Sequence, residues 1–113
     1  MKKYIVIYHA PEDMMEQAGN LSPDDRKKEM ESWMAWADKC GDKLVDLGSP
    51  LMGGVKLSPD GNSSMSRKDV TGYSVIQAES MDEAKMLLGG HPHLQYGAGC
   101  EIEIHEAMPL PGV

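Results

Sequence analysis

Val70-Thr-Gly-Tyr-Ser-Val-Ile-Gln-Ala-Glu79 runs straight into Ser80-Met81-Asp82-Glu83, and this junction decides the fold. The first run is rich in β-branched and aromatic residues, with Val75 and Ile76 at its centre, and reads as a strand. The second is a capping box: Ser80 caps a helix and Glu83 reaches back to it. Ala84, Leu87 and Leu88 give that helix a buried stripe, and Gly89-Gly90 stops it. Beyond it, Cys100 to Ala107 alternates, with Ile102 and Ile104 to one side and Glu101, Glu103 and His105 to the other. The second half of the chain is therefore strand, helix, strand.

The first half repeats that order. Lys3 to Tyr8 is a near-continuous apolar run and reads as a strand buried on both faces. A polar loop containing Pro11, Gly19 and Asn20 follows. Ser22 then serves as N-cap, Pro23 suits the first helical position, and Asp24 and Asp25 complement the helix dipole. Met30, Trp33, Met34 and Ala37 recur at helical spacing and predict the buried stripe, with Trp36 at its edge and Gly41 as C-cap. Lys43 to Leu47 and Leu51 to Leu57 read as one bent strand or two short ones, interrupted by Gly48, Pro50, Gly53 and Gly54. Ser58-Pro59-Asp60-Gly61-Asn62 is a turn, and Asn62 to Asp69 reads as polar and mobile.

The sum is an α+β, ferredoxin-like βαββαβ sandwich: a four-stranded antiparallel sheet with two helices on one face, in a single domain spanning 1–113. Tyr4, Val6 and Tyr8 lie on one side of the first strand and Ile5 and Ile7 on the other, so neither side is polar. One side faces away from the helices. The expected cover is a second copy of the chain in a symmetric dimer; the tail or the long polar loop is the alternative.

Composition narrows the partners. A formal charge of -7 with no basic patch argues against nucleic acid. No apolar run approaches the roughly 18 residues of a membrane span. The short apolar start is followed at once by His9 and by Glu12-Asp13, so it reads as a strand rather than a secretion signal, and a cytoplasmic location is expected. Cys40 and Cys100 form no Cys-x-x-Cys motif and read as reduced thiols. Phe is absent and Met occurs ten times, which predicts an adaptable core.

The chemistry is concentrated in His91-Pro92-His93-Leu94, a loop with two imidazoles held by a stiff proline. Three readings stay open: a general acid or base, a metal pair completed by a carboxylate or His105, and a packed loop whose rings bond the backbone. A His-x-His pair alone is a weak metal signal, so no metal and no cofactor are expected. His91 and His93 are the candidate catalytic residues. Tyr8, His9, Trp36 and Ser49 are the candidate ligand-binding residues. Spacing alone does not place His9 beside His91. Ser49 has no evident activating base, so it is not read as a nucleophile.

With these elements placed, the chain resembles the YCII-related family, in the branch known for its DGPF domain. The resemblance spans most of the length. It rests on Lys3 to Tyr8, on Leu21-Ser-Pro-Asp-Asp25 leading to Trp33-Met-Ala-Trp36, and on Gly48-Ser-Pro-Leu51. It continues through Thr71 to Ala78, Ser80 to Ala84, and His91-Pro92 before the closing strand. It implies the ferredoxin-like fold and dimers of the α/β-barrel type. Ser64 to Val70 stands where the Asp-Gly-Pro-Phe segment is expected. The resemblance also implies a His on the first helix and an Asp late in the chain for enzyme-like members; those positions fall near Met30 and at His91 here. The expected function is a small-molecule lyase or hydrolase using His91 or His93, or else a non-catalytic module that binds a small ligand. A metal-independent oxygenase shares the fold, with nothing diagnostic for it.

Overall fold

The computed structural model describes residues 1–14, 20–67 and 69–111; Gly19, expected in a loop, and Lys68, in the stretch expected to be polar and mobile, lie outside them. The strands are β1 (Lys2–His9), β2 (Leu44–Pro50), β3 (Val55–Leu57), β4 (Ser63–Met65), β5 (Val70–Ala78) and β6 (Glu101–Ala107). The helices are α1 (Pro23–Cys40) and α2 (Met81–Leu88), with short 3-10 turns at Gly41–Lys43 and Pro92–Gln95.

Four strands form one sheet in the order β2-β5-β1-β6, with every neighbouring pair antiparallel. The fold is thus α+β with a four-stranded antiparallel sheet, in an order consistent with a ferredoxin-like chain. Register explains the two faces. Tyr4 opposes Ile76, Val6 opposes Ser74 and Ile104, and Tyr8 opposes Gly72 and Ile102. These residues share a face, and on it Tyr4, Val6, Tyr8, Ile76 and Ala78 pack with Trp36 and Cys40 of α1 and Ala84 and Leu88 of α2. Both helices therefore cover the same side. On the other side Ile5, Ile7, Tyr73 and Val75 stay half-buried.

The caps form as the sequence dictates. The Ser22 hydroxyl accepts from the Asp25 amide at 3.2 Å, and that of Ser80 from the Glu83 amide at 3.2 Å. Gly41 ends α1 with φ +59°. Glu83, however, turns to Lys43, whose ammonium lies 2.5 Å from its carboxylate and draws its pKa down. This ion pair links α2 to the 3-10 turn before β2, and a backbone hydrogen bond at Glu79 also lowers the Glu83 pKa.

Two expectations are corrected. The buried arc of α1 is turned relative to the predicted stripe: Met30 is 57% and Met34 44% exposed, whereas Trp36 is 4% exposed. Trp33, Trp36, Ala37 and Cys40 also satisfy the i, i+3, i+4, i+7 spacing, and an indole removes far more apolar surface from water than a thioether chain. The second correction concerns the connection from β2 to β5. Of the two forms expected, the structure has two short strands rather than one bent one, but the second, Val55–Leu57, leaves the main sheet and pairs with Ser63–Met65. The stretch from Asn62, expected to be polar and mobile, thus contributes a strand at Ser63–Met65. Val55, Leu57 and Met65 share one face of this hairpin and are 64%, 76% and 71% exposed.

No helix among the described residues is long and apolar enough to cross a membrane.

Candidate functional site

Proline restricts the residue before it to extended backbone, and His91 has φ -65° and ψ 137°. That conformation makes His91 the N-cap of the 3-10 turn, with its Nδ1 accepting from the His93 amide at 2.9 Å. The ring enters the core. It is completely buried, with ring-centre distances of 4.3 Å to Trp33, 4.4 Å to Trp36 and 4.9 Å to Tyr8.

The hydrogen bonds around it have a fixed direction. A backbone amide only donates, so His91 Nδ1 carries the lone pair and, in the neutral ring, Nε2 carries the proton. Nε2 lies 3.2 Å from the Tyr8 hydroxyl, which lies 2.8 Å from Ser74 Oγ. Ser74 Oγ in turn lies 2.6 Å from the Leu47 carbonyl, which only accepts. The chain therefore runs one way: His91 Nε2–H to Tyr8, Tyr8 O–H to Ser74, Ser74 O–H to Leu47. Burial agrees with this assignment. It lowers the His91 pKa to about 4, with the neighbouring His93 adding a smaller push, and raises that of Tyr8 to about 12. Both groups are neutral near pH 7.

His93 points elsewhere. Its Nε2 donates to the His9 carbonyl at 2.7 Å, which fixes the proton on that nitrogen. Burial lowers its pKa, opposed by the backbone of His9 and Glu101. The ring forms part of the wall of an open-mouthed cavity of about 600 Å³ bounded by α1, the facing ends of β1, β2 and β5, and the 93–100 loop. Tyr8, Trp33, Tyr96, Leu47, Met14 and Met30 give this cavity a mainly apolar lining, and Arg26 and Glu29 stand on the same wall. Such a space matches a small-molecule site in size and character.

Gly48 shapes the wall where β2 bulges against β5. Its φ is +83°, and a Cβ there would stand 1.7 Å from the Tyr73 carbonyl oxygen. Only glycine fits this approach.

Of the residues singled out from sequence, Tyr8, Ser49 and His93 line the cavity. His91 stands behind Tyr8 and does not. Trp36, the other candidate ligand-binding residue on α1, does not line this cavity; it packs in the core, and its indole donates to the Leu87 carbonyl at 2.9 Å. The His9 side chain emerges on the opposite face of the sheet, because side chains alternate along β1. There it pairs with Glu103 and lies 3.3 Å from Asp69, while Glu103 also meets His105 at 2.6 Å. These imidazole contacts hold the Glu103 carboxyl below its usual range, and Arg67 does the same for Asp69. His9 meets the site through its backbone carbonyl alone. Among the described residues no group of three or more His, Cys, Asp or Glu side chains is arranged to hold a metal.

Tyr96 and Ser74 escaped the sequence reading, whereas Trp33, read there as a residue of the buried stripe, also lines the cavity. Ser74 carried a signal, as a lone hydroxyl on the inward side of β5 between Gly72 and Ile76. Tyr96 carried none, since a loop tyrosine has no periodicity.

A ferredoxin-like sheet with a His-Pro-His turn closing an apolar cavity against β1 defines a small α+β domain with a ligand-sized site. The YCII-related domain matches residues 1–108, and the chain belongs to that family. No curated protein matches it.

Proposed function

We propose that this protein is a small-molecule enzyme of the lyase or hydrolase type, in which His93 exchanges a proton with a mainly apolar substrate held in the cavity. One observation carries the reading: a buried imidazole, its tautomer fixed by the His9 carbonyl, forms part of the wall of an apolar cavity of about 600 Å³. In the neutral ring Nδ1 keeps its lone pair and acts as the base. His91 is a positioning residue, since it meets the cavity only through Tyr8. Tyr8 supplies the floor and Ser49 part of the rim.

The whole chain, 1–113, acts as one domain of the DGPF-like branch, assembled as a homodimer of the α/β-barrel type. The half-buried face of Ile5, Ile7, Tyr73 and Val75 supports that assembly, since both helices lie on the other side. Two unpaired cysteines, both buried, support a cytoplasmic location.

A second reading, a binding module without turnover, draws on the closed hydrogen-bond chain from His91 to Leu47. Both of its ends are tied to backbone, as in a structural network. Incubation of the protein with a library of small aromatic esters, ketones and hydroxy acids, followed by mass spectrometry, separates the two. The enzyme reading expects a compound consumed by the wild type and spared by His93→Gln, which still binds it. Saturable binding with no compound consumed would leave the binding module as the function.

A further inference from the structure

The hydrogen-bond directions in the cavity wall also select a ligand class. This step rests on the cavity being a ligand site, as proposed above. The Trp33 indole nitrogen lies 2.9 Å from the Tyr96 hydroxyl oxygen, and both residues line the cavity. An indole N–H only donates, so the Tyr96 oxygen is the acceptor and its own proton is not used in that bond. Among the described residues no acceptor takes that proton within hydrogen-bonding distance. Tyr96, which is 36% exposed, thus offers one donor at the cavity wall, and partial burial of its phenol raises the pKa further above neutral pH.

The deeper polar groups behave differently. Tyr8, Ser74 and His91 spend their protons on one another and on Leu47, and the Thr71 hydroxyl donates to the Tyr8 carbonyl at 3.2 Å. His93 Nε2 is committed to the His9 carbonyl. With their protons spent, these inner groups offer a ligand oxygen no donor, and an oxygen placed against them loses its water without replacement, which is costly. A ligand oxygen that only accepts meets Tyr96. The charged residues on the wall, Arg26 and Glu29, are of opposite sign, so neither charge of ligand is selected.

We propose that Tyr96 is the specificity-determining donor of this cavity, recognising a neutral, apolar ligand through a carbonyl-type oxygen, with Trp33 as the residue that positions its hydroxyl.

The test compares two probes of matched shape, 2-acetylnaphthalene and 2-ethylnaphthalene, by equilibrium dialysis against the wild type and Tyr96→Phe. The ratio of ketone to hydrocarbon affinity is expected to fall about 3- to 10-fold in the variant, the range of one net hydrogen bond. Hydrocarbon affinity is expected to stay within about twofold, which a general loss of packing would not allow. Trp33→Phe is expected to lower the same ratio. An unchanged ratio in both variants overturns the assignment of Tyr96 while leaving the cavity as a ligand site. Failure of the wild type to bind either probe overturns both.

Discussion

Ser74→Ala removes one oxygen and strands two partners, the Tyr8 hydroxyl proton and the Leu47 carbonyl, in a region closed to water. The expected loss is about 1–3 kcal/mol of stability, read from urea unfolding midpoints. His91 gives the chain a pH dependence whose sign follows from its lowered pKa. A base with a folded pKa near 4 resists protonation, whereas the same ring in the unfolded chain titrates near its ordinary value of 6.5. Its stabilising contribution is whole above that ordinary value and is lost as pH falls toward 4, by up to about 3 kcal/mol. The lowered pKa of His93 acts in the same direction. Unfolding midpoints between pH 4 and 7 check this: the slope is expected to flatten in His91→Gln, and an equal slope in that variant would assign it to other groups. The His-Pro-His turn was legible because proline and two imidazoles are conspicuous at any position. Its partner was not, because Tyr8 and His91 are 83 residues apart and only the sheet brings them together.

At the scale of the element, α1 shows how periodicity fixes a helix without fixing its rotation. Trp33 and Ala37 belong to both possible stripes; the choice between Met30-Met34 and Trp36-Cys40 is made by the sheet beneath. Trp36→Ala is accordingly expected to cost about 3–5 kcal/mol, while Met34→Lys is expected to cost less than about 0.5 kcal/mol in the folded protomer. Denaturant melts of the two variants give the comparison, and an inverted order would mean that an assembly covers Met34. Ser22→Ala is expected to cost about 1 kcal/mol through its lost cap. The caps were readable because they are local chemistry. The β3–β4 hairpin was not, because Ser63 and Ser64 have no strand propensity and pair only through the register set by the turn at Ser58–Asn62.

For the whole molecule, the sheet order follows from the sequence of elements, since strand, helix, strand, strand, helix, strand leaves few ways to cover one face. The proposed dimer would cover the other face, where Ile5, Ile7, Tyr73 and Val75 stay half-buried. Ile7→Glu is expected to shift the protein from dimer to folded monomer in sedimentation velocity, because a carboxylate there would be desolvated in the assembly. A wild type that sediments as a monomer would refute the barrel-type assembly.

The one-way hydrogen-bond chain also has a spectroscopic consequence. The His91 Nε2–H, Tyr8 O–H and Ser74 O–H protons are held among β1, β2, β5 and the His-Pro-His turn, on three buried side chains. Their exchange with solvent is expected to require global opening of the sheet and the turn packed on it. Side-chain hydroxyl resonances, lost to rapid exchange on most protein surfaces, are expected to persist here as resolved downfield lines, with decay in D2O that tracks global unfolding.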